Sequence, residues 1–313
     1  MSFRFFGKKC AILLVALWLI ATVTFFLMKA IPGDPFTQEQ AIPEEILKAL
    51  RHHYHLDDPW YSQYGHYLKS LLTWDLGPSF KYKSRTVNEI IAQGFPVSAA
   101  LGLQAFCIAL GSGVLLGVIA AVKRGKWQDY LCMGSAVLGL SVPSFLLATF
   151  LQYLFAIKLG ILPVARWGTF AQSILPTWSL AALPTAFIAR LTRSGMLEVL
   201  RQDYILTARA KGLGEPAILI RHALRNAFLP VLTYLGPLLA NILCGSFVVE
   251  KIFGIPGLGQ WFVTAVTNRD YTVIMGMTVF YSAILLTAVF LVDLSYGVLD
   301  PRIRTPRRRE SPG

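Results

Sequence analysis

Residues Phe95–Val122 read FPVSAALGLQAFCIALGSGVLLGVIAAV, 28 residues without one charged side chain. As a helix this run is about 42 Å long at 1.5 Å rise per residue. The hydrocarbon core of a bilayer is about 30 Å thick. Inside it no water is available to backbone N–H and C=O groups, so only helices and closed barrels cross. An unbroken run of this length reads as a helix, with room to tilt. Five other stretches share the same character: Cys10–Met28, Tyr130–Ile157, Trp167–Ala189, Asn226–Val249 and Tyr271–Val292. The shortest has 19 residues and still spans about 28 Å. The sequence therefore predicts an all-α membrane protein with six transmembrane helices.

Composition agrees. Of the 313 residues, 55% are hydrophobic and 15% charged, with a mean hydropathy of +0.54. A soluble chain has roughly 45–50% apolar and about 25% charged residues. The balance disfavours a cytosolic enzyme, a disordered chain and a secreted disulfide scaffold. The four cysteines, Cys10, Cys107, Cys132 and Cys244, are far apart and make no C-x-x-C pair, so no zinc site or disulfide framework is expected. Arg4, Lys8 and Lys9 precede the first apolar run. That run exceeds a signal-peptide core, and Lys29–Pro32 is a poor cleavage site, so the first span is expected to be retained.

The net charge of +12 is explained by its distribution. Eighteen of the 29 Lys and Arg residues fall in alternate segments: the start of the chain, the Lys123–Lys126 turn, the Arg190–Arg225 loop and the tail from Arg302 to Arg309. Basic residues favour the cytoplasmic side, so both termini are expected there. The same placement removes the case for a nucleic-acid partner. No internal repeat is evident, which weakens a secondary-transporter reading.

The segment Ile31–Gly94 is too long for a bare connection. Pro43-Glu44-Glu45 and Asp58-Pro59 are helix starts. Ile46, Leu47, Leu50 and Tyr54 follow the first at helical spacing; Tyr61, Tyr64, Leu68 and Leu71 follow the second. Two amphipathic helices are predicted on the outer surface. His52, His53 and His55, with His66 nearby, could suggest metal, but no ligand set accompanies them, and they read as a solvated helix end.

The most basic connection runs from Arg190 to Pro230. Gly195 through Lys211 suits a helix, Gly212 and Gly214 interrupt, and Glu215-Pro216 opens a second helix toward Pro230. A helix, glycine turn and helix on the cytoplasmic face would suit a docking surface. An interfacial helix held by anionic membrane lipid fits the composition equally well.

Tyr204-Ile-Leu-Thr-Ala-Arg-Ala-Lys-Gly-Leu213, followed by Arg221-His-Ala-Leu-Arg-Asn-Ala-Phe-Leu-Pro230, resembles the cytoplasmic motif of ABC-importer permeases. Pro32-Gly-Asp-Pro35, Asp75-Leu-Gly-Pro-Ser-Phe80, Ile188-Ala-Arg-Leu-Thr-Arg193, Gly254-Ile-Pro-Gly-Leu-Gly259 and Asn268-Arg-Asp-Tyr271 extend the resemblance along nearly the whole chain. Together they look like the dipeptide/oligopeptide permeases, nearest to the first of an importer's two membrane subunits. The resemblance implies the type I ABC-importer permease fold, with a periplasmic or extracellular helical loop and a cytoplasmic coupling helix. It implies a division into residues 1–94, a permease core at 95–300 containing the coupling loop 193–229, and a basic tail at 301–313. It implies a heterodimer with a second permease subunit, two cytoplasmic ABC ATPase subunits, an outer peptide-binding protein and a peptide substrate, in the bacterial plasma membrane. Contact with an ATPase would fall on Ala208, Arg209, Ala210, Lys211, Gly212 and Leu213 within the 203–222 loop. The general motif's leading glutamate is replaced here by Leu206-Thr207. A related importer for nickel or glutathione is the alternative reading. No catalytic residue, metal or cofactor is implied.

The residues fit a transport subunit that is not an enzyme. No G-x-x-x-x-G-K-[ST] loop is present to cradle nucleotide phosphates. No G-x-S-x-G or H-E-x-x-H motif occurs either. Gln104, Gln152, Thr185 and Asn241 interrupt apolar runs. At such depth polar side chains line a cavity or hydrogen-bond between helices, so these four are pathway-lining candidates. Pro143, Pro176, Pro184 and Pro237 are candidate kinks. Asp293 directly follows the last predicted span, with Arg190 or Arg193 as its expected partner. If Arg307–Arg309 serve only to hold topology, removing the chain beyond Arg304 should leave uptake close to that of the full-length protein; a strong transport defect would make the tail a docking element instead.

Overall fold

The computed structural model describes residues 3–31, 57–82, 85–243 and 245–299. Twelve helices follow one another: α1 Phe3–Ala30, α2 Trp60–Leu72, α3 Val87–Val122, α4 Trp127–Ser141, α5 Ser144–Lys158, α6 Phe170–Val199, α7 Asp203–Ala210, α8 Glu215–Ala227, α9 Leu229–Leu243, α10 Phe247–Phe253, α11 Leu258–Asn268 and α12 Tyr271–Leu299. No strand is found among the described residues, only an isolated bridge between Pro78 and Thr86. Among the described residues four helices, α1, α3, α6 and α12, are long and apolar enough to cross a membrane, and the count rises to six if the bent pairs α4–α5 and α8–α9 each make one span.

The bends have local causes. α4 and α5 meet at 107°, where Val142 is extended (φ −88°, ψ 119°) ahead of Pro143. The proline ring disfavours helical backbone in the residue before it, so the predicted straight span Tyr130–Ile157 is an elbow. α8 and α9 meet at 56° just before Pro230, which cannot donate to the preceding turn. Pro176, Pro184 and Pro237 lie inside unbroken helices. The expected fifth span Asn226–Val249 also has different bounds in the structure. α9 stops at Leu243, and Val249 belongs to the separate short helix α10.

Helices α3 and α6 form the most extensive contact of the bundle. Two hydrogen bonds join them at the same sequence offset of 73: Thr177 donates to Gln104 Oε1 at 3.2 Å, and the Ser112 and Thr185 hydroxyls lie 3.2 Å apart. The two helices therefore run parallel, and Val122 and Val199 reach the same end. Small residues let their backbones approach. A Cβ on Gly117 would meet Thr192 Cβ at 2.5 Å and the Ala189 carbonyl oxygen at 2.6 Å; one on Gly113 would meet Ile188 Cβ at 2.7 Å. In lipid such contacts replace the hydrophobic effect as the force between helices. α9 and α12 close the bundle, with Gly236 against Val292.

At the Val122 end lie the basic Lys123–Lys126 turn and helices α7 and α8. At the other end α2 rests on α1 through stacked Phe25 and Tyr67, with ring centroids 5.5 Å apart. The second predicted outer helix is thus present as α2; the first, and the histidines 52, 53 and 55, fall outside the described residues.

A side chain at Gly117 must push the helices apart. Gly117→Ala should destabilise the protein by about 1–3 kcal/mol through overpacking, read as a lower unfolding temperature in detergent. Gly111→Ala, where a Cβ meets nothing within 4 Å, should leave that temperature unchanged.

Candidate functional site

The sequence predicts one helix through Gly195–Lys211, but the structure divides it. α6 ends at Val199, residues Leu200–Gln202 turn, and α7 occupies Asp203–Ala210. After the break α7 packs against the helix that follows it, α8. Its termination is built by Gly212. Lys211 closes the helix, Gly212 adopts φ +78°, the Leu213 N–H donates to the Ala208 carbonyl at 3.3 Å, and the Gly212 N–H donates to the Arg209 carbonyl at 2.9 Å. This pairing of a 6→1 and a 5→2 bond is the Schellman motif. It needs left-handed backbone at one position, which glycine adopts without a Cβ penalty. Across the turn Arg209 reaches Glu215, Nε to Oε1 at 2.9 Å and Nη2 to Oε2 at 3.4 Å. Both side chains are well exposed, so the pair holds the bend's shape more than its stability.

A small apolar core fixes the bent element from behind. Ile205 and Ala208 of α7, Ile218, Ala223 and Ala227 of α8, Met196 of α6 and Ala121 of α3 cluster together, buried. At Gly195 a Cβ would lie 2.6 Å from the Ala227 carbonyl oxygen, so α8 sits directly on α6. Asn226 also donates to Tyr204 Oη at 2.7 Å.

The six expected contact residues separate by exposure. Arg209, Ala210, Lys211, Gly212 and Leu213 are exposed, and Leu213 presents an apolar side chain 42% open to solvent. Ala208 is buried in the core beneath α7.

Behind the element an ion pair joins two basic segments. Arg193 of α6 donates from Nε to Asp129 Oδ1 at 2.7 Å and from Nη2 to Oδ2 at 2.8 Å. The Gly125 N–H donates to Oδ2 at 3.0 Å. Asp129 is 4% exposed. A bidentate guanidinium fixes orientation as well as distance, so the Lys123–Lys126 turn is set rigidly on α6. Arg193 is thus engaged with Asp129; the side chain of Asp293 lies outside the described residues. The Asp129–Arg193 pairing was not foreseen from sequence; an acid in the first turn after a basic inner loop is the signal that could have raised it.

Of the pathway-lining candidates, three are occupied between elements. Gln104 accepts from Thr177, Thr185 faces Ser112, and Gln152 donates to the Val164 carbonyl at 2.7 Å. Asn241 alone is exposed.

Two further buried carboxylates sit at the opposite end, also unread in the sequence. Asp270 accepts from the Ser79 hydroxyl, from the Phe80 N–H at 3.2 Å and from the Thr272 hydroxyl at 3.0 Å. It fastens the Asp75–Phe80 loop to the start of α12. Glu250 in α10 is fully buried. Burial pushes its carboxyl above the ordinary carboxylate range, while hydrogen bonds from Ser98 and backbone N–H groups pull it back down.

Four to six apolar candidate spans, a basic end and a bent element at that end define a multi-pass membrane protein. Residues 113–305 match the family model described as binding-protein-dependent transport system inner membrane component, and residues 2–102 match that family's N-terminal model. The chain is 53% identical over 305 residues to the dipeptide transport system permease protein DppB of Bacillus subtilis, covering 97% of this chain and 99% of that protein. It is 46% identical over 303 residues to the oligopeptide transport system permease protein OppB of Salmonella typhimurium, covering 96% and 99%. Among solved structures, a crystal structure of an amino acid ABC transporter with histidines superposes with a TM-score of 0.53 at 17% identity, over 67% of this chain and 94% of that one. An inward-facing MetNI methionine ABC transporter superposes with a TM-score of 0.51, also at 17% identity, over 69% and 97%. These establish the fold as that of the type I importer permeases. The chain belongs to the family of binding-protein-dependent inner-membrane transport components, in the group that contains the dipeptide and oligopeptide permeases.

Left-handed backbone costs a residue with a Cβ about 1–2 kcal/mol, while asparagine tolerates it better. No atom lies within 4 Å of a Cβ at Gly212, so the penalty there is conformational alone. Gly212→Val should therefore depress transport strongly with membrane insertion intact, and Gly212→Asn should retain most of it, both measured as uptake per inserted protein.

Proposed function

We propose that this chain is a transmembrane permease subunit of an ATP-driven peptide importer, forming half of the translocation pathway. The observation that carries the proposal is the bent element at the basic end. It is held rigid from behind by the Met196–Ala227 core and offers an exposed rim from Arg209 to Leu213. A rigid, exposed projection transmits force to a partner; a flexible lipid-contacting segment does not need a buried core of its own. The relatives' names favour dipeptides or oligopeptides as cargo over nickel or glutathione.

In this reading the basic end is cytoplasmic, both termini lie there, and the element docks on an ATPase subunit. A second permease completes the pathway, two ATPase subunits supply the energy, and an outer binding protein delivers peptide. The exposed apolar face of α4 and α5, with Leu131, Leu138 and Phe150 each more than half open to solvent, is left for lipid or for the second permease. Asn241 is the polar side chain best placed to meet cargo, since its exposure is not explained by a neighbouring helix.

The test is recovery of the chain in mild detergent by a C-terminal tag. A second six-span protein and nucleotide-hydrolysing subunits should come with it. A stable chain recovered alone would overturn the proposal. Leu213 is the apolar knob of the rim, and removing a central interface anchor costs 2 kcal/mol or more. Leu213→Asp should therefore cut ATPase recovery by about tenfold or more without changing the amount of inserted chain, whereas Leu213→Met should not.

A further inference from the structure

Helix α11 begins without a cap of its own. Its N-cap is Gly257, which has no side chain to accept from the first N–H groups. Those donors are satisfied from elsewhere. The Leu258 N–H donates to Ser98 Oγ at 2.8 Å, across 160 residues of sequence. The Gln260 N–H donates to Glu250 Oε2 at 3.1 Å. Ser98 in turn donates to Glu250 Oε1 at 2.7 Å. Glu250 and Ser98 are both fully buried, and no ion pair to Glu250 is found among the described residues.

A buried carboxylate is costly unless its charge is met by hydrogen bonds or dipoles. Here the positive end of the α11 dipole and the N–H groups of its first turn meet it. The chain also makes room for it at three separate places. A Cβ at Gly245 would collide with Oε1, one at Gly257 would come within 2.6 Å of the carboxyl carbon, and one at Gly259 within 3.0 Å of Oε2. Three glycines contributed from both sides of α10 leave a socket of carboxylate size.

The socket joins separate parts of the fold. Ser98 belongs to α3, one turn before Gly102, where a Cβ would meet the Ile242 carbonyl oxygen at 2.6 Å. The same helix packs on α6 at Gly113 and Gly117, and α6 carries the bent element at the far end. Capping α11 locally would have required only a serine or aspartate at position 257. Capping it through Ser98 and Glu250 instead makes the orientation of α10 and α11 depend on α3.

We infer that Glu250, through Ser98, is a positioning residue for transport: it forms a joint by which the α10–α11 segment follows the α3–α6 rod, linking the end opposite the coupling element to movements begun there. Glu250 touches no cargo in this scheme. The transport consequence rests on the permease reading above; the joint itself does not.

The experiment uses the assembled transporter with its ATPase subunits in proteoliposomes, comparing wild type, Ser98→Ala, Glu250→Gln and the double variant. Ser98→Ala removes a single hydroxyl and so is the mildest test of the joint. Two quantities are read: hydrogen–deuterium exchange of the Leu258–Gln260 amides, and peptide imported per ATP hydrolysed. In Ser98→Ala and Glu250→Gln, exchange at those amides should rise tenfold or more while α3 amides stay protected. Basal ATP hydrolysis should remain near wild type, and peptide imported per ATP should fall at least fivefold. The double variant should be no worse than the more affected single variant, because both act on one joint. Unchanged exchange in Ser98→Ala would overturn the joint. Raised exchange with unchanged import per ATP would overturn its positioning role and leave only a structural cap. A wild-type assembly that hydrolyses ATP without importing peptide would instead defeat the cargo assignment, with the exchange result still deciding the joint.

Discussion

The close approach of α3 and α6 is the constraint on which the remaining structure depends. Gly113 and Gly117 let two parallel helices meet backbone to side chain, with no space for even a methyl group. Between lipid-embedded helices there is no hydrophobic effect to draw surfaces together, so association relies on packing and a few polar bonds. The Ser112–Thr185 and Gln104–Thr177 contacts supply those bonds along the same seam. Once the seam is fixed, the Val122 and Val199 ends must emerge side by side, and the two basic connections are brought together by geometry. The Asp129–Arg193 pair then locks them.

Buried carboxylates do similar work at three junctions. Asp129 holds the Lys123–Lys126 turn to α6, Asp270 holds the Asp75–Phe80 loop to α12, and Glu250 holds α11 to α3. Each one bridges elements remote in sequence, and each meets hydroxyl, guanidinium or backbone N–H donors, as buried charge requires. The spans themselves are nearly free of charge, so the buried carboxylates are concentrated where helices end and the chain turns. Specific orientation is needed there, because apolar packing alone leaves helix ends free to slide and rotate.

The straight spans α1, α3, α6 and α12 were legible because charge-free runs of this length have few other solutions. The glycine turn at Gly212 was legible too, since Gly212, Gly214 and the Glu215-Pro216 start signal give it a local cause. What escaped was non-local. The break at Leu200–Gln202 has no glycine or proline; it follows from the core that Ile205 and Ala208 make with Ile218 and Met196. The burial of Ala208 could be read only once that core was assembled. The partners of Gln104, Gln152 and Thr185 were also out of reach, because a polar residue in an apolar run signals a partner without saying which. The structure shows their partners as Thr177, the Val164 carbonyl and Ser112. Glu250 was passed over because it stands just beyond a predicted span, and its partner Ser98 lies 152 residues away.

The central claim is that the rim from Arg209 to Leu213 is the surface through which ATP hydrolysis acts on this chain. The most direct test places a photo-crosslinking amino acid at position 213 in the membrane-embedded protein and identifies what it captures on illumination. A covalent adduct with a nucleotide-hydrolysing subunit, at a yield that changes between the nucleotide-free and ATP-bound states, is the predicted result. Capture of lipid alone, in both states, would contradict the account.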